Sequence, residues 1–123
     1  MRRIQLEILA EKVKSSLALA GLPLSPLVDA ELANGAYVEI DDEDDGSGAV
    51  YLQWRVHPVL QRDFVAVPQS ALETDPRARL YRHSLQVMLD AMSSVLVEAG
   101  FIVRAAAHSY RPFTLEVSEQ SSS

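Results

Sequence analysis

The chain has 123 residues, which is enough for one domain and too few for two ordinary ones. It contains no cysteine, so disulfides, thiolate zinc sites and cysteine nucleophiles are excluded, as is typical of proteins in a reducing compartment. The net charge is −6; six acids lie within residues 39–45, and the other 11 match the 11 lysines and arginines. Since no excess of basic residues is present to neutralise phosphates, we do not expect nucleic-acid binding.

No segment of the sequence is typical of a membrane span or a targeting signal. The N-terminus is basic at Arg2 and Arg3, but Glu7 and Glu11 interrupt the stretch that a signal peptide would keep apolar. No run approaches the roughly 18–20 apolar residues that cross a bilayer. We therefore expect a soluble, cytoplasmic protein with no membrane partner.

The first third of the chain predicts a helix followed by a strand. Apolar residues recur at helical spacing over 4–20, and Gly21 suits the left-handed conformation that often ends a helix. Ser25 and Pro26 indicate the start of a short helix that ends near residues 34–35. Residues 36–41 then alternate as in a strand.

The next segment predicts one long strand and one short one. Val50, Leu52, Trp54 and Val56 share one face of a strand over 50–56. The acidic run and its glycines join this strand to the preceding one as a hairpin. Pro58 ends the strand because proline donates no ladder hydrogen bond, and residues 63–67 indicate a short third strand.

The last part of the chain predicts a long helix and two strands. Asp75 and Pro76 form a typical helix start, and the helix continues to Ala99 before Gly100. Strands follow over 101–106 and 113–117, with a turn over 108–112. We expect 118–123 to be a disordered polar tail. The main apolar stripe of the helix is Tyr81, Leu85, Met88, Met92, Val95 and Ala99.

These elements predict a single α+β domain over residues 1–117, in the order αβββαββ. Both main helices have one apolar face and the strands alternate, so an antiparallel sheet of four to five strands with both helices on one face is the expected packing. The other sheet face would then be open to a partner. It would present Tyr51, Gln53, Arg55, Arg104, Thr114 and Glu116.

The acidic run has three interpretations. Acids at alternate positions from Asp41 to Asp45 before Gly46 resemble half of a calcium-binding EF-hand loop. The position of the expected final acid is Leu52, however, and the flanking segments are strands. A solvated hairpin turn is the simplest interpretation, and the third is a patch that attracts a basic partner through Asp42, Glu43, Asp44 and Asp45.

No constellation in the sequence indicates catalysis. His57, His83 and His108 have no metal-ligand spacing, the paired serines lie within helices, and no phosphate-binding glycine loop is present. We therefore predict no catalytic residue, no metal site and no cofactor. Three arginines, at 77, 79 and 82, extend into water or pair with an acidic surface.

The order of elements resembles that of small acidic α+β proteins related to bacterial secretion chaperones and to the YbjN-like domain. The likeness rests on LALAGLPLSPLVDAELANGAYVEID (17–41), on the acidic hairpin and on VEAGFIV (97–103). The chain differs from that plan in its longer second helix and in having no clear C-terminal helix. The resemblance implies a dimeric, non-enzymatic protein that holds a segment of its partner.

Two hypotheses about function follow. The first is a chaperone-like or adaptor-like protein-binding module that acts as a homodimer, with the open sheet face and the acidic run as partner-binding residues. Leu80, Leu89 and Leu96 lie outside the main stripe of the long helix and would form the dimer interface. The alternative is a small-ligand sensor or minor enzyme with a site between helix and sheet, lined by groups such as His57, Tyr110 or Arg104.

Overall fold

In the part of the chain that the structure describes, the fold consists of three α-helices and a four-stranded antiparallel sheet. A computed structural model describes residues 2–25, 34–41, 48–106 and 113–119. In chain order the elements are α1 (Arg2–Leu19), β1 (Gly35–Asp41), β2 (Ala49–Arg55), α2 (Pro58–Val65), a 3₁₀ turn (Gln69–Ala71), α3 (Pro76–Glu98), β3 (Phe101–Ala105) and β4 (Leu115–Glu119). The predicted mixed α+β class is confirmed.

The strands lie in the order β1-β2-β4-β3, and every neighbouring pair is antiparallel. β1 and β2 form the predicted hairpin, in register from Gly35 opposite Arg55 to Asp41 opposite Ala49. β3 and β4 form the second two-stranded unit. Because β4 lies between β2 and β3, β3 is an edge strand although it precedes β4 in the chain.

One apolar cluster connects α1 and α3 to a single face of the sheet. Val50 lies opposite Val117 on β4, and Leu52 lies opposite Val38 on β1, so their side chains share this face. All of these residues belong to the same buried cluster as Leu6, Ala10, Val13 and Leu17 of α1 and Leu85, Leu89, Met92 and Leu96 of α3. Both helices therefore cover one face of the sheet.

The prediction of a strand over 63–67 is wrong, because residues 58–65 form helix α2. Pro58 occupies the first turn, and the Nδ1 atom of His57 accepts a hydrogen bond from the backbone N–H of Val59 at 3.1 Å. The ring of Phe64 stacks on Tyr81 of α3, with 4.2 Å between ring centroids. The local cap and this long-range aromatic contact together favour the helix.

The last strand begins and ends two residues later than predicted. Ser118 and Glu119, which the sequence assigned to the tail, pair with Ile102 and Phe101 of β3. Phe113, predicted to start the strand, instead has a φ of 55° and lies in a turn. The predicted short helix after Ser25, the acidic residues 42–45 and the tail beyond residue 119 lie outside the described residues.

The core face of α3 differs from the predicted stripe. Leu89 and Leu96, assigned to a free surface for a second copy, are buried in the core, with 5% and 0% of their surface exposed. Leu80 alone of the three is exposed, at 55%. Each turn of α3 carries several apolar residues, so the sequence pattern is compatible with more than one buried face. The face that packs on the sheet contains Leu85, Leu89, Met92 and Leu96.

Candidate functional site

The face of the sheet opposite α1 and α3, called here the far face, is covered by no helix of the described residues. Alternation along each strand places Tyr37, Gln53, Arg55, Arg104 and Glu116 on this face. The sequence predicted four of these five residues as a partner-binding surface. The structure brings them together on adjacent strands of one sheet.

Side chains on the far face contact one another in pairs. The guanidinium of Arg55 lies 3.7 Å from the centroid of the Tyr37 ring, which is close enough for a cation–π interaction. The amide nitrogen of Gln53 donates a hydrogen bond to the hydroxyl of Thr114 at 3.1 Å. These contacts hold the polar groups in place and make the far face a pre-organised surface.

Tyr51 does not present an open surface, although the sequence placed it there. It lies on the central strand β2, opposite Glu39 of β1 and Glu116 of β4, and only 5% of its surface is exposed. Thr114 is buried as well. The accessible part of the far face therefore lies toward β3, where Arg104 has 69% of its side chain exposed.

The outer edge of β3 borders this surface and is unpaired among the described residues. The backbone N–H of Ala106 donates a hydrogen bond to the carbonyl of Thr114 at 2.9 Å. Since every second residue of an antiparallel strand bonds to its neighbour, this bond fixes which residues of β3 bond to β4. Ile102 and Arg104 therefore bond toward β4, while Phe101, Val103 and Ala105 direct their backbone N–H and C=O groups away from it. No described residue hydrogen-bonds to these outward groups.

The outer edge of β1, in contrast, is partly covered. Leu24 forms a parallel bridge with Ala36, and the backbone groups of Ala36 bond to Pro23 and Ser25 at 2.9 and 2.7 Å. The segment before β1 thus occupies the start of that edge. Of the two edge strands, β3 is the one whose full length is unpaired within the described residues.

A cleft of about 530 Å³ lies where the two central strands separate. The β2–β4 ladder stops at Val50 opposite Val117, yet Ala49 still pairs with β1 and Glu119 still pairs with β3. α1 covers this gap from the helix side. The cleft is lined by Gln5, Leu6, Ile8, Leu9, Lys12, Gly48, Ala49, Val50, Arg104, Glu116, Val117, Ser118 and Glu119.

The charged groups of the cleft form two ion pairs. Lys12 Nζ lies 2.8 Å from Glu119 Oε1 and ties α1 to the end of β4, and Arg104 Nε lies 3.5 Å from Glu116 Oε2. Because both cations have carboxylate partners, the cleft carries no net charge from these four groups. Its chemistry suits an uncharged molecule, or one with both an acidic and a basic group.

One of the arginines at the start of α3, Arg77, pairs with the residue that caps the helix. Asp75 caps the helix by accepting the backbone N–H of Arg77 at 2.8 Å, and its carboxylate also receives two hydrogen bonds from the Arg77 guanidinium, at 3.1 and 3.0 Å. These hydrogen bonds lower the pKa of Asp75 below its ordinary value of 3.8, and the side-chain contact raises the pKa of Arg77. This pair stabilises the helix start.

The two histidines that the structure describes lie on different elements. His57 caps α2 and His83 is exposed on α3, while His108 and Tyr110 lie outside the described residues. Residues 2–25, 34–41, 48–106 and 113–119 contain no cluster of three or more histidine or acidic side chains that could hold a metal ion. Among the same residues, no helix is long and apolar enough to cross a membrane.

Several residues of these surfaces were not predicted. Tyr37 and Glu39 are two residues apart in β1, so their side chains point to the same face of the sheet. Alternation along the strand was therefore enough to place Tyr37 on the far face. Lys12 and Glu119 are different, because their contact joins residues 107 positions apart and required the tertiary structure. The edge position of β3 likewise depends on strand order, which alternation does not encode.

Comparison with protein-family models, with curated proteins and with solved structures finds no match to this chain.

Proposed function

We propose that this protein is a non-enzymatic protein-binding module, chaperone-like or adaptor-like, that holds its partner on the far face of the sheet. The observation that supports this proposal is the fixed side-chain array on a sheet face that no described helix covers. Its accessible part combines the exposed apolar Ile102 with the exposed Arg104. Arginine beside apolar surface is a combination common at protein interfaces.

The type of partner follows from this surface. It presents the guanidinium of Arg55 over the Tyr37 ring and the Arg104–Glu116 ion pair within one sheet face. A partner segment with both signs of charge and an apolar residue over Ile102 would match it. Acidic residues 42–45 follow β1 directly in the chain, and we propose that they increase the rate of encounter with basic partners.

Affinity capture from the native cell, quantified by mass spectrometry, tests this proposal. The test variant is Arg55→Ala/Arg104→Ala, and the matched control is Arg79→Ala/Arg82→Ala, which removes the same charge from exposed positions of α3. Partners captured by the wild type should be retained by the control and reduced at least about tenfold by the test variant. Equal capture by both variants, at unchanged thermal stability, would show that the far face is not the binding surface.

The cleft favours a second candidate function, a small-ligand sensor. Its volume of about 530 Å³ is within the range of ligand pockets, and its two ion pairs match a ligand that has both an acidic and a basic group. Thermal-shift measurements with amino acids and dipeptides test this candidate, since a ligand of the folded state raises the melting temperature. Gln5→Trp would fill the mouth of the cleft and should abolish a genuine shift, whereas Gln86→Trp on α3 should not.

A further inference from the structure

We infer that two copies of this chain associate through their β3 strands, in antiparallel orientation, to form one continuous eight-stranded sheet. The inference starts from the outward backbone groups of Phe101, Val103 and Ala105, for which the described residues provide no partner. Such a row of donors and acceptors is a template for another strand. The dimer extends the proposed function because it doubles the far face. The dimer and the proposed function can nevertheless be refuted independently of each other.

The composition of β3 favours pairing. The strand is Phe-Ile-Val-Arg-Ala, with two β-branched residues and with no proline, glycine or lysine to protect the edge. Ile102 is 41% exposed on the far face, which is a large apolar surface for an unpartnered edge. A second strand beside β3 would cover the flank of this side chain and leave its outer part for the binding partner.

A two-fold axis at Val103 gives the most favourable register. Phe101 of one copy then lies opposite Ala105 of the other, and Val103 lies opposite Val103, so the outward groups form about six backbone hydrogen bonds. Moving the axis to Arg104 would place two arginines directly opposite each other, which is destabilising. Moving it to Ile102 would leave Ala105 outside the ladder.

Side-chain chemistry also supports the register centred on Val103. Arg104 of each copy lies opposite Ile102 of the other on the far face. The aliphatic part of arginine covers apolar surface well while its charged end remains hydrated. Glu116, 3.5 Å from Arg104 within the same chain, already holds that charged end in place. The exposed isoleucine and the exposed arginine thus complement each other across the axis.

The helix side of the sheet is compatible with this arrangement. α3 packs against both β3 and β2, so its axis lies over the intervening region of the sheet. The intervening strand is β4, so two such helices related by the axis would be separated by about three strand spacings, on the order of 14 Å, and would not collide.

A second copy is a better candidate for this edge than an unrelated peptide. The five-residue edge is complementary to itself about Val103, and a self-complementary patch is what a symmetric dimer requires. A second copy is also present wherever the protein is present. No special sequence in another protein is needed.

Light scattering coupled to size-exclusion chromatography tests the inference at micromolar protein concentration. The wild type should be a dimer. Val103→Pro removes one outward N–H but no hydrogen bond to β4, and proline is tolerated at such edge positions, so it should give a folded monomer. Val103→Thr keeps the N–H and the side-chain shape and should remain a dimer. A monomeric wild type, or a Val103→Pro variant that is still dimeric, would overturn the inference.

Disulfide trapping tests the register with folded variants even if Val103→Pro fails to fold. The chain has no cysteine, so Ile102→Cys and Arg104→Cys each introduce the only thiol. In the register centred on Val103 these positions face each other across the axis at about 4.5 Å between Cα atoms, within disulfide range. An equal mixture of the two variants should therefore cross-link under mild oxidation much faster than either variant alone.

Ile4→Cys, exposed on α1, gives the rate of cross-linking by random collision. A mixture that cross-links no faster than this control would overturn the inference. Efficient cross-linking of Ile102→Cys alone would overturn the register. Neither measurement requires the binding partner, so partner capture that Arg55→Ala/Arg104→Ala leaves unchanged, with an intact dimer, would contradict only the proposed function.

Discussion

At the scale of single residues, two glycines separate the cost of a positive φ from the cost of a steric clash with a new Cβ. Gly21 has a φ of 92° and ends α1, where the N–H of Leu22 bonds to the carbonyl of Leu17 and the N–H of Gly21 bonds to the carbonyl of Ala18. This is the Schellman pattern that glycine favours. Gly35 has a φ of 118°, and its neighbour in space is the backbone of the segment before β1.

Replacement of Gly35 by alanine should be strongly destabilising. The new Cβ would lie 2.6 Å from the carbonyl oxygen of Pro23, a backbone atom that cannot move without breaking the Ala36–Pro23 hydrogen bond. We expect Gly35→Ala to lower the free energy of unfolding by at least about 2 kcal/mol. Chemical denaturation measures this difference.

Gly21→Ala is the matched control for this substitution. It also places alanine at a positive φ, but no atom lies within 4 Å of the new Cβ. Its cost should be about 1 kcal/mol, since only the backbone conformation is penalised. Equal costs for both variants would show that the close approach of Pro23 to Gly35 does not constrain the protein.

At the scale of elements, both α2 and α3 begin with the same arrangement. Each starts with a side chain that accepts a backbone N–H two residues later, followed by a proline in the first turn: His57 and Pro58 in α2, Asp75 and Pro76 in α3. The arrangement at α3 was predicted and is confirmed. The one at α2 was not, because histidine is not among the usual N-cap residues.

The start of α3 should make stability depend on pH. The folded state lowers the pKa of Asp75, so the unfolded chain takes up a proton first as the pH falls. The charged Asp75 therefore stabilises the fold fully at a pH above its ordinary pKa of 3.8. This stabilisation is lost progressively as the pH falls below 3.8 and through the lower pKa of the folded state. Thermal unfolding over this range measures the effect.

Asp75→Asn removes the charge but keeps an oxygen that can cap the helix. The variant should melt a few degrees below the wild type near neutral pH, and the difference should disappear in acid, where the wild-type carboxyl is also uncharged. Added salt should reduce the difference, because the pair with Arg77 is near the surface. A difference that is independent of pH would mean that the charge of Asp75 does not contribute.

At the scale of the whole molecule, one apolar layer between the helices and the sheet unites elements from both ends of the chain. Val13 and Leu17 of α1, Leu52 of β2 and Leu96 of α3 are all fully buried in it. The exposed side chains of the far face and of the β3 edge lie outside this layer. Substitutions on these surfaces should therefore change interactions with little effect on folding.

Leucine-to-alanine substitutions on α3 test this division. Leu96→Ala should lower the free energy of unfolding by about 3 kcal/mol, because it leaves a cavity in the buried layer. Leu80→Ala should change it by less than about 0.5 kcal/mol in the monomer, since Leu80 is exposed. Denaturation of both variants in the Val103→Pro background separates these effects from any contribution of the dimer.

A small cost for Leu96→Ala would mean that α3 does not pack on the sheet as described. A large cost for Leu80→Ala in the monomer would place Leu80 in the core, contrary to its exposure.

The sequence by itself determined the features that depend on near neighbours. Alternation identified the β1–β2 hairpin and placed Gln53, Arg55 and Glu116 on the face away from the helices. The Asp75–Pro76 pair located the start of α3. These features were predictable because side-chain direction repeats every two residues in a strand, and caps act within one turn.

Only the tertiary structure decided the features that depend on distant pairing. The position of β4 between β2 and β3 makes β3 an edge and opens the cleft beyond Val50 and Val117. The burial of Leu89 and the stacking of Phe64 on Tyr81 likewise follow from which elements meet. Strand order and helix docking are set by the burial of apolar surface over the whole chain, and several local patterns here are compatible with more than one such packing.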